Sequence, residues 1–172
     1  MTVIAWDGTT LAADKRCVAG STIKTTTKIW RVGELLVGIA GDLSFGMEML
    51  DWIKQGRNPS DFPKNQRTYE DFVSVLVVDE NGQAWVYERS PHPFMIEDAC
   101  TAIGTGRDFA LAAMYCGKTA AEAVAIACRL DNGCGNGVNT LNYMTRQELD
   151  KAIQDFNTLI GLESAFREEN IA

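Results

Sequence analysis

Leu35-Leu36-Val37-Gly38-Ile39-Ala40 carries no polar side chain, and turn-forming pairs flank it, Gly33-Glu34 before and Gly41-Asp42 after. A short, unbroken apolar run bounded in this way reads as a strand buried on both faces. Residues 72–78 form a second strongly apolar strand, which Asn81-Gly82 turns back into Ala84–Glu88. Residues 2–6 and 10–14 read as short strands joined through Asp7-Gly8, and Lys28–Val32 alternates as the strand that feeds the first buried run. Phe94–Ile96, Cys100–Ile103 and Val138–Tyr143 read as further strands.

Helices alternate with these strands. Asp42 can cap a helix in which Phe45, Met49, Trp52 and Ile53 recur at helical spacing, ending near Lys54. Gly56, Pro59, Ser60 and Pro63 then predict a loop. Gly106–Cys116 is rich in Ala, Leu and Met. Thr119 with Glu122 three residues on forms a capping box for a helix reaching about Leu130. Thr145 with Glu148 predicts a last helix, and the tail after about Gly161 is charged. Hairpins dominate, so the expected class is α+β with largely antiparallel sheets. The 172 residues suit one domain over 1–172, with a C-terminal helix and tail from about 145.

Several classes of function are disfavoured. A formal net charge of -7 with no Lys/Arg cluster argues against a nucleic-acid partner. No run of about 18 apolar residues is present, so a membrane helix is not expected. The first residues lack a basic region and a long apolar stretch, which predicts a cytoplasmic location. The five cysteines, with no C-x-x-C, argue against a metal site or a disulfide framework, and most of them read as buried reduced thiols. The single histidine, His92, stands between Pro91 and Pro93, a turn or strand-edge position where a catalytic role is not expected. Around Gly104-Thr105-Gly106 the dinucleotide pattern fails, because Phe109 occupies its third glycine position. At Gly117-Lys118-Thr119 a phosphate loop fails for want of a glycine at Ala112. No cofactor is expected.

What remains is chemistry without histidine. Once the preceding methionine is removed, Thr2 offers a hydroxyl nucleophile and its own α-amine, whose ordinary pKa of about 7.7–8.0 suits a base near neutral pH. It can also be no more than a permissive second residue. Asp14 ends a strand and Lys28 begins another; together they can stabilise charge beside a nucleophile, or form an ordinary surface ion pair. Gly41 can turn a backbone N–H toward a developing oxyanion, or simply end a strand.

The ordered set Thr2-Val3-Ile4-Ala5, Ala13-Asp14, Lys28-Ile29, Val37–Gly41, Ala102–Gly106 and Asp131-x-x-Cys134-Gly135-x-Gly137-Val138 resembles the proteasome β-subunit and HslV-like family of N-terminal-nucleophile hydrolases. The resemblance covers residues 2 to about 145 and implies a four-layer αββα sandwich. It implies that Thr2 is the nucleophile, that Asp14 and Lys28 tune it, and that the Gly41 N–H stabilises the oxyanion. Thr105 falls near the nucleophile's amine, Asp131 on a structural aspartate, and Cys134 where relatives carry serine. A second long helix usual in the family has little room in residues 57–71, which contain two prolines.

The implied activity is a threonine endopeptidase in a homo-oligomeric ring, assisted by an ATPase and acting on unfolded protein or peptide. The residue before the scissile bond would sit among Cys17, Thr26, Trp30, Ile39, Leu43 and Met47, an apolar set favouring cleavage after apolar or aromatic residues. Two alternatives stay open: a non-catalytic ring or scaffold subunit that retains Met1, and an amidohydrolase of the same superfamily acting on a small amide.

Overall fold

The computed structural model describes residues 1–64, 73–144, 148, 151, 154–156 and 158. Two sheets carry the architecture. One has the order β10-β1-β2-β11, built from β1 (Val3–Trp6), β2 (Thr10–Asp14), β10 (Thr101–Gly104) and β11 (Val138–Asn142). The other has the order β5-β6-β7-β8-β9, built from β5 (Ile29–Val32), β6 (Leu35–Gly41), β7 (Val73–Val78), β8 (Ala84–Tyr87) and β9 (Phe94–Met95). Every pairing is antiparallel.

Side-chain alternation along the strands separates three cores. On β1, Ile4 and Trp6 face the second sheet, joining Leu11, Leu36, Leu76 and Ile103. Val3 and Ala5 face the other way, onto α2 (Arg107–Tyr115) and α3 (Ala120–Leu130). On β6 and β7, Val37, Ile39, Val73, Val75 and Val77 point outward onto α1 (Leu43–Lys54), where they meet Met49, Leu50 and Trp52. The layers are therefore helices, sheet, sheet, helix: the αββα sandwich. Both apolar runs read from the sequence are the central strands of the second sheet, covered on both faces.

Local rules place the helices. The Asp42 carboxylate accepts from Phe45 N at 2.8 Å, and the Thr119–Glu122 capping box is complete. The Asp7-Gly8 turn does two things. One Asp7 oxygen accepts from the N–H groups of Thr9 and Thr10, and the other accepts from Ala120 N at 2.7 Å, tying the β1–β2 turn to the start of α3. These bonds outweigh burial and hold the Asp7 carboxyl below the usual range.

Three differences from the sequence reading have local causes. A hairpin of β3 (Arg16–Ala19) and β4 (Thr22–Thr25) stands outside both sheets; β4 is exposed and β3 is half-buried at Arg16 and Cys17 alone, so neither strand shows a buried apolar face in the sequence. The turn around Asn81-Gly82 spans Asp79 to Gln83, because Asp79 accepts from both Asn81 N and Gln83 N. The Gly106 helix begins at Arg107 with no side-chain cap. Of the predicted last helix, the described residues between 148 and 158 are helical; Thr145 and the tail after 158 lie outside the described residues, as does Phe72.

Gly38 sets the distance between the sheets. A Cβ there would stand 2.7 Å from Cγ2 of fully buried Ile4. Gly38→Ala should therefore cost about 1–3 kcal/mol, the usual range for overpacking a tight core. A urea midpoint equal to that of the unchanged protein would show that the sheets are not in contact there.

Candidate active site

Thr2 is buried immediately ahead of β1, beside the mouth between the two sheets. Its backbone N–H donates to Thr105 Oγ1 at 3.2 Å. Its carbonyl accepts from Gly106 N at 3.2 Å, and Gly104, at φ +93, leaves space that a Cβ would take from that carbonyl. Thr2 Oγ1 donates to the Met1 carbonyl at 2.5 Å.

Asp14, fully buried at the end of β2, lies next to this position. Oδ1 accepts from Val3 N at 3.0 Å and from Lys28 Nζ at 2.7 Å, while Oδ2 accepts from Arg16 N at 3.1 Å and Gly135 N at 3.0 Å. Lys28, itself 4% exposed, forms a buried ion pair with Asp14. Ile39 N donates to the Lys28 carbonyl at 2.9 Å, so the β5–β6 ladder fixes the lysine backbone one residue before β5 begins.

The loop after α3 closes the other side. Asp131 accepts from Gly133 N at 2.8 Å and from Cys134 Sγ at 3.4 Å. The Gly133 N–H holds the Asp131 carboxyl below its usual range against some burial, and the Thr105 hydroxyl and Cys134 thiol add to the effect. Burial first, then the charge of Asp14 and the bond to Asp131, push the Cys134 thiol up to about 12. Cys134 is therefore a neutral donor at any working pH.

Thr2, Met1 and Gly41 line two cavities at once. One, of about 280 Å³, is walled by Arg16, Cys17, Thr26, Lys28, Ile39 and Leu43. The other, of about 520 Å³, opens between the sheets and includes Val86, Phe94, Ile96, Ile103 and Thr105. Gly41 ends β6 at φ +117, a conformation an L side chain rarely adopts.

The structure thus brings Thr2, Asp14, Lys28, Gly41, Thr105, Asp131 and Cys134 together. Of the six residues expected around the residue before the scissile bond, Cys17, Thr26, Ile39 and Leu43 share a cavity with Thr2. Trp30 and Met47 do not; they line an adjoining hollow of about 450 Å³ that shares Thr26 and Leu43 with the first. Arg16 and Asp42, also on the wall of the Thr2 cavity, were missed in the sequence. Arg16 directly follows the Lys15 that leaves β2; its guanidinium donates to the Asn132 carbonyl at 2.6 Å, and the residue lines the cavity. His92 is exposed in the β8–β9 connection and lines neither cavity. Among the described residues, no group of three or more His, Cys, Asp or Glu side chains is gathered to hold a metal ion, and no helix is long and apolar enough to cross a membrane.

No family model and no curated protein matches the chain in sequence. Solved structures match it in fold. BPH of Thiobacillus denitrificans in complex with epoxomicin superposes with a TM-score of 0.63 at 18% identity, over 84% of this chain and 100% of its own. BPH of the same organism in a second structure gives 0.63 at 18%, over 83% and 98%. HslV from Trypanosoma brucei gives 0.62 at 17%, over 82% and 97%. The αββα sandwich of this chain is the HslV-like fold.

Two outcomes follow from the electrostatics. Asp14→Ala strands the buried Lys28 charge and the N–H groups of Val3, Arg16 and Gly135, and should cost about 3–5 kcal/mol; denaturant titration showing less than about 1 kcal/mol would mean that the carboxylate is not buried. The raised Cys134 pKa also has a sign. The folded state keeps the proton that the unfolded chain releases near pH 9, so this contribution is present below pH 9 and is lost as pH rises toward 12. Thermal melts of Cys134→Val should fall less steeply between pH 9 and 11 than those of the unchanged protein, and parallel curves would contradict the assignment.

Proposed function

We propose that this chain is an N-terminal threonine endopeptidase subunit of the proteasome/HslV type, acting on unfolded protein or peptides within a homo-oligomeric ring served by an ATPase. The observation that carries the reading is the neighbourhood of Thr2. A buried threonine at the first strand has an ion-paired lysine and a positive-φ glycine on the same cavity wall, and no histidine nearby. Such a group has to supply its own base, and the free α-amine is the group available to it.

With Met1 attached the Thr2 nitrogen is an amide and cannot act as a base, and the hydroxyl is engaged by the Met1 carbonyl. Removal of Met1 frees both groups. The amine then takes the Oγ1 proton as Oγ1 bonds to the substrate carbonyl carbon. The Gly41 N–H meets the developing oxyanion, and the Lys28 ammonium, held by Asp14, stabilises negative charge at Oγ1. Collapse breaks the C–N bond, and the proton passes from the α-ammonium to the departing amine. Water attacks the remaining ester with the same amine as base, and the Oγ1–C bond breaks to restore the hydroxyl. Thr105 directly, and Asp131 with Cys134 behind it, orient the amine.

The fold shared with HslV and with epoxomicin-bound BPH favours ring assembly and this substrate class. The 280 Å³ cavity is the proposed place for the residue before the scissile bond, and Cys17, Ile39 and Leu43 favour an apolar side chain there.

The test uses protein whose intact mass shows Met1 removed. Coumarin-amide peptides ending in Leu or Phe should turn over faster than those ending in Arg or Glu. Thr2→Ala should lose activity by several orders of magnitude, Thr2→Ser should keep part of it, and Lys28→Ala should be nearly as damaging as Thr2→Ala. Thr2→Ala activity within a few-fold of the unchanged enzyme would sink the mechanism. A monomer by light scattering at micromolar concentration would sink the ring.

A further inference from the structure

The larger cavity beside Thr2 has no role in the steps just described. It lies at the open mouth between the sheets, bounded by the end of β8, by β9 and by β10. Val86, Phe94, Ile96 and Ile103 contribute large side chains to its apolar wall. Its charged residues, Glu88 and Arg107, are of opposite sign, and Arg107 is turned to Asp108 at 3.4 Å and the Gly104 carbonyl at 3.5 Å. About 520 Å³ is ample for a large side chain.

The partners of Thr2 divide between the two cavities. Lys28, beside the hydroxyl in the proposed mechanism, lines the smaller one alone. Thr105, which accepts from the Thr2 nitrogen, lines the larger one alone. The nitrogen of Thr2 therefore faces the inter-sheet mouth. In amide cleavage the departing nitrogen takes its proton from that same amine, so it has to lie on the amine's side. The two substituents of the attacked carbonyl diverge, one carrying the acyl portion and the other the leaving chain. We infer that the inter-sheet cavity binds the leaving side of the peptide and selects a large apolar side chain at the first residue after the scissile bond. This deepens the peptidase reading and rests on it.

The bond changes are those of acyl transfer and its reverse. An added amine that occupies the leaving site attacks the Thr2 ester, forms a new C–N bond, breaks the Oγ1–C bond and returns its proton to Oγ1 through the α-amine. The first experiment therefore loads the processed enzyme from a coumarin-amide peptide and offers Phe-amide, Leu-amide, Gly-amide or Asp-amide as acceptors. Aminolysis products are counted by mass spectrometry. Phe-amide and Leu-amide should capture the acyl group about tenfold better than Gly-amide or Asp-amide, the ratio that burial of one apolar side chain supports. Phe94→Ser, at an exposed edge position, should bring the Phe/Gly capture ratio down toward unity. Equal capture of all four amides by the unchanged enzyme overturns the inference.

The second experiment does not need turnover. A peptide with photo-leucine as the first residue after the expected scissile bond is irradiated on the Thr2→Ala protein, and the adducts are mapped. Labels within 86–103 support the assignment; labels confined to 16–43, or none, overturn it. Failure to release coumarin at all, with the Thr2 amine shown free by mass, defeats the peptidase reading instead, and the mapped adducts still decide what the cavity holds.

Discussion

The buried carboxylate of Asp14 is the attachment on which the site depends. A charge with no access to water has to find its partners in the protein. Here they come from four separate segments: Val3 of β1, Arg16 at the start of the hairpin, Lys28 ahead of β5, and Gly135 in the loop after α3. A buried ion pair is a weak source of stability compared with an apolar replacement. What this one supplies is position. It fixes the strand that carries Thr2, the lysine beside it and the loop that flanks its nitrogen relative to a single pair of oxygens.

Around that attachment the layers are graded by side-chain size. Between the first sheet and α2/α3 the core is largely alanine, with Ala5, Ala12, Ala102, Ala110, Ala113, Ala120, Ala123 and Ala127 in one cluster. Small residues let the helices lie close over β1 and β2, which keeps the loop 131–137 near the start of β1 and the end of β2. The space between the sheets is filled by larger side chains, Trp6, Leu11, Leu36 and Leu76 among them, and the sheets approach closely where Gly38 admits Ile4. Toward the Thr2 end that filling stops, and the unfilled mouth is the larger cavity.

Elements governed by local rules were legible in the sequence. The run Leu35–Ala40 announced a central strand because no face of it is polar; Asp42, Thr119 and Asp7 announced their caps and turn because each bond spans only a few residues. The β3–β4 hairpin was not read, although Gly20-Ser21 between Val18 and Thr22-Ile23 carries a two-residue turn signal. The site residues were individually ambiguous. Asp14 and Lys28 meet only after β2 and β5 have joined different sheets, and nothing in their spacing dictates that. The ordered resemblance pointed to them. Arg16 and the inter-sheet cavity belong to strand ends and sheet edges, where periodicity carries no information.

Cys134 poses a chemical question that the geometry answers. A thiolate is a stronger nucleophile than a neutral hydroxyl, so a cysteine beside Thr2 could compete with it. Yet Cys134 is fully buried, its sulfur packs under Gly106, where a Cβ would stand 2.9 Å away, and it hydrogen-bonds to Asp131 and to the Thr105 hydroxyl. Burial and the nearby charges of Asp14 and Asp131 keep it protonated, with a pKa of about 12. It faces neither cavity that Thr2 lines. The thiol's effect on the Thr2 nitrogen is therefore indirect, through Asp131 and Thr105, while the direct bond comes from Thr105. A weaker donor is tolerated at this position because it orients a carboxylate that the Gly133 N–H already holds. The same burial that makes it a poor donor removes it as a nucleophile.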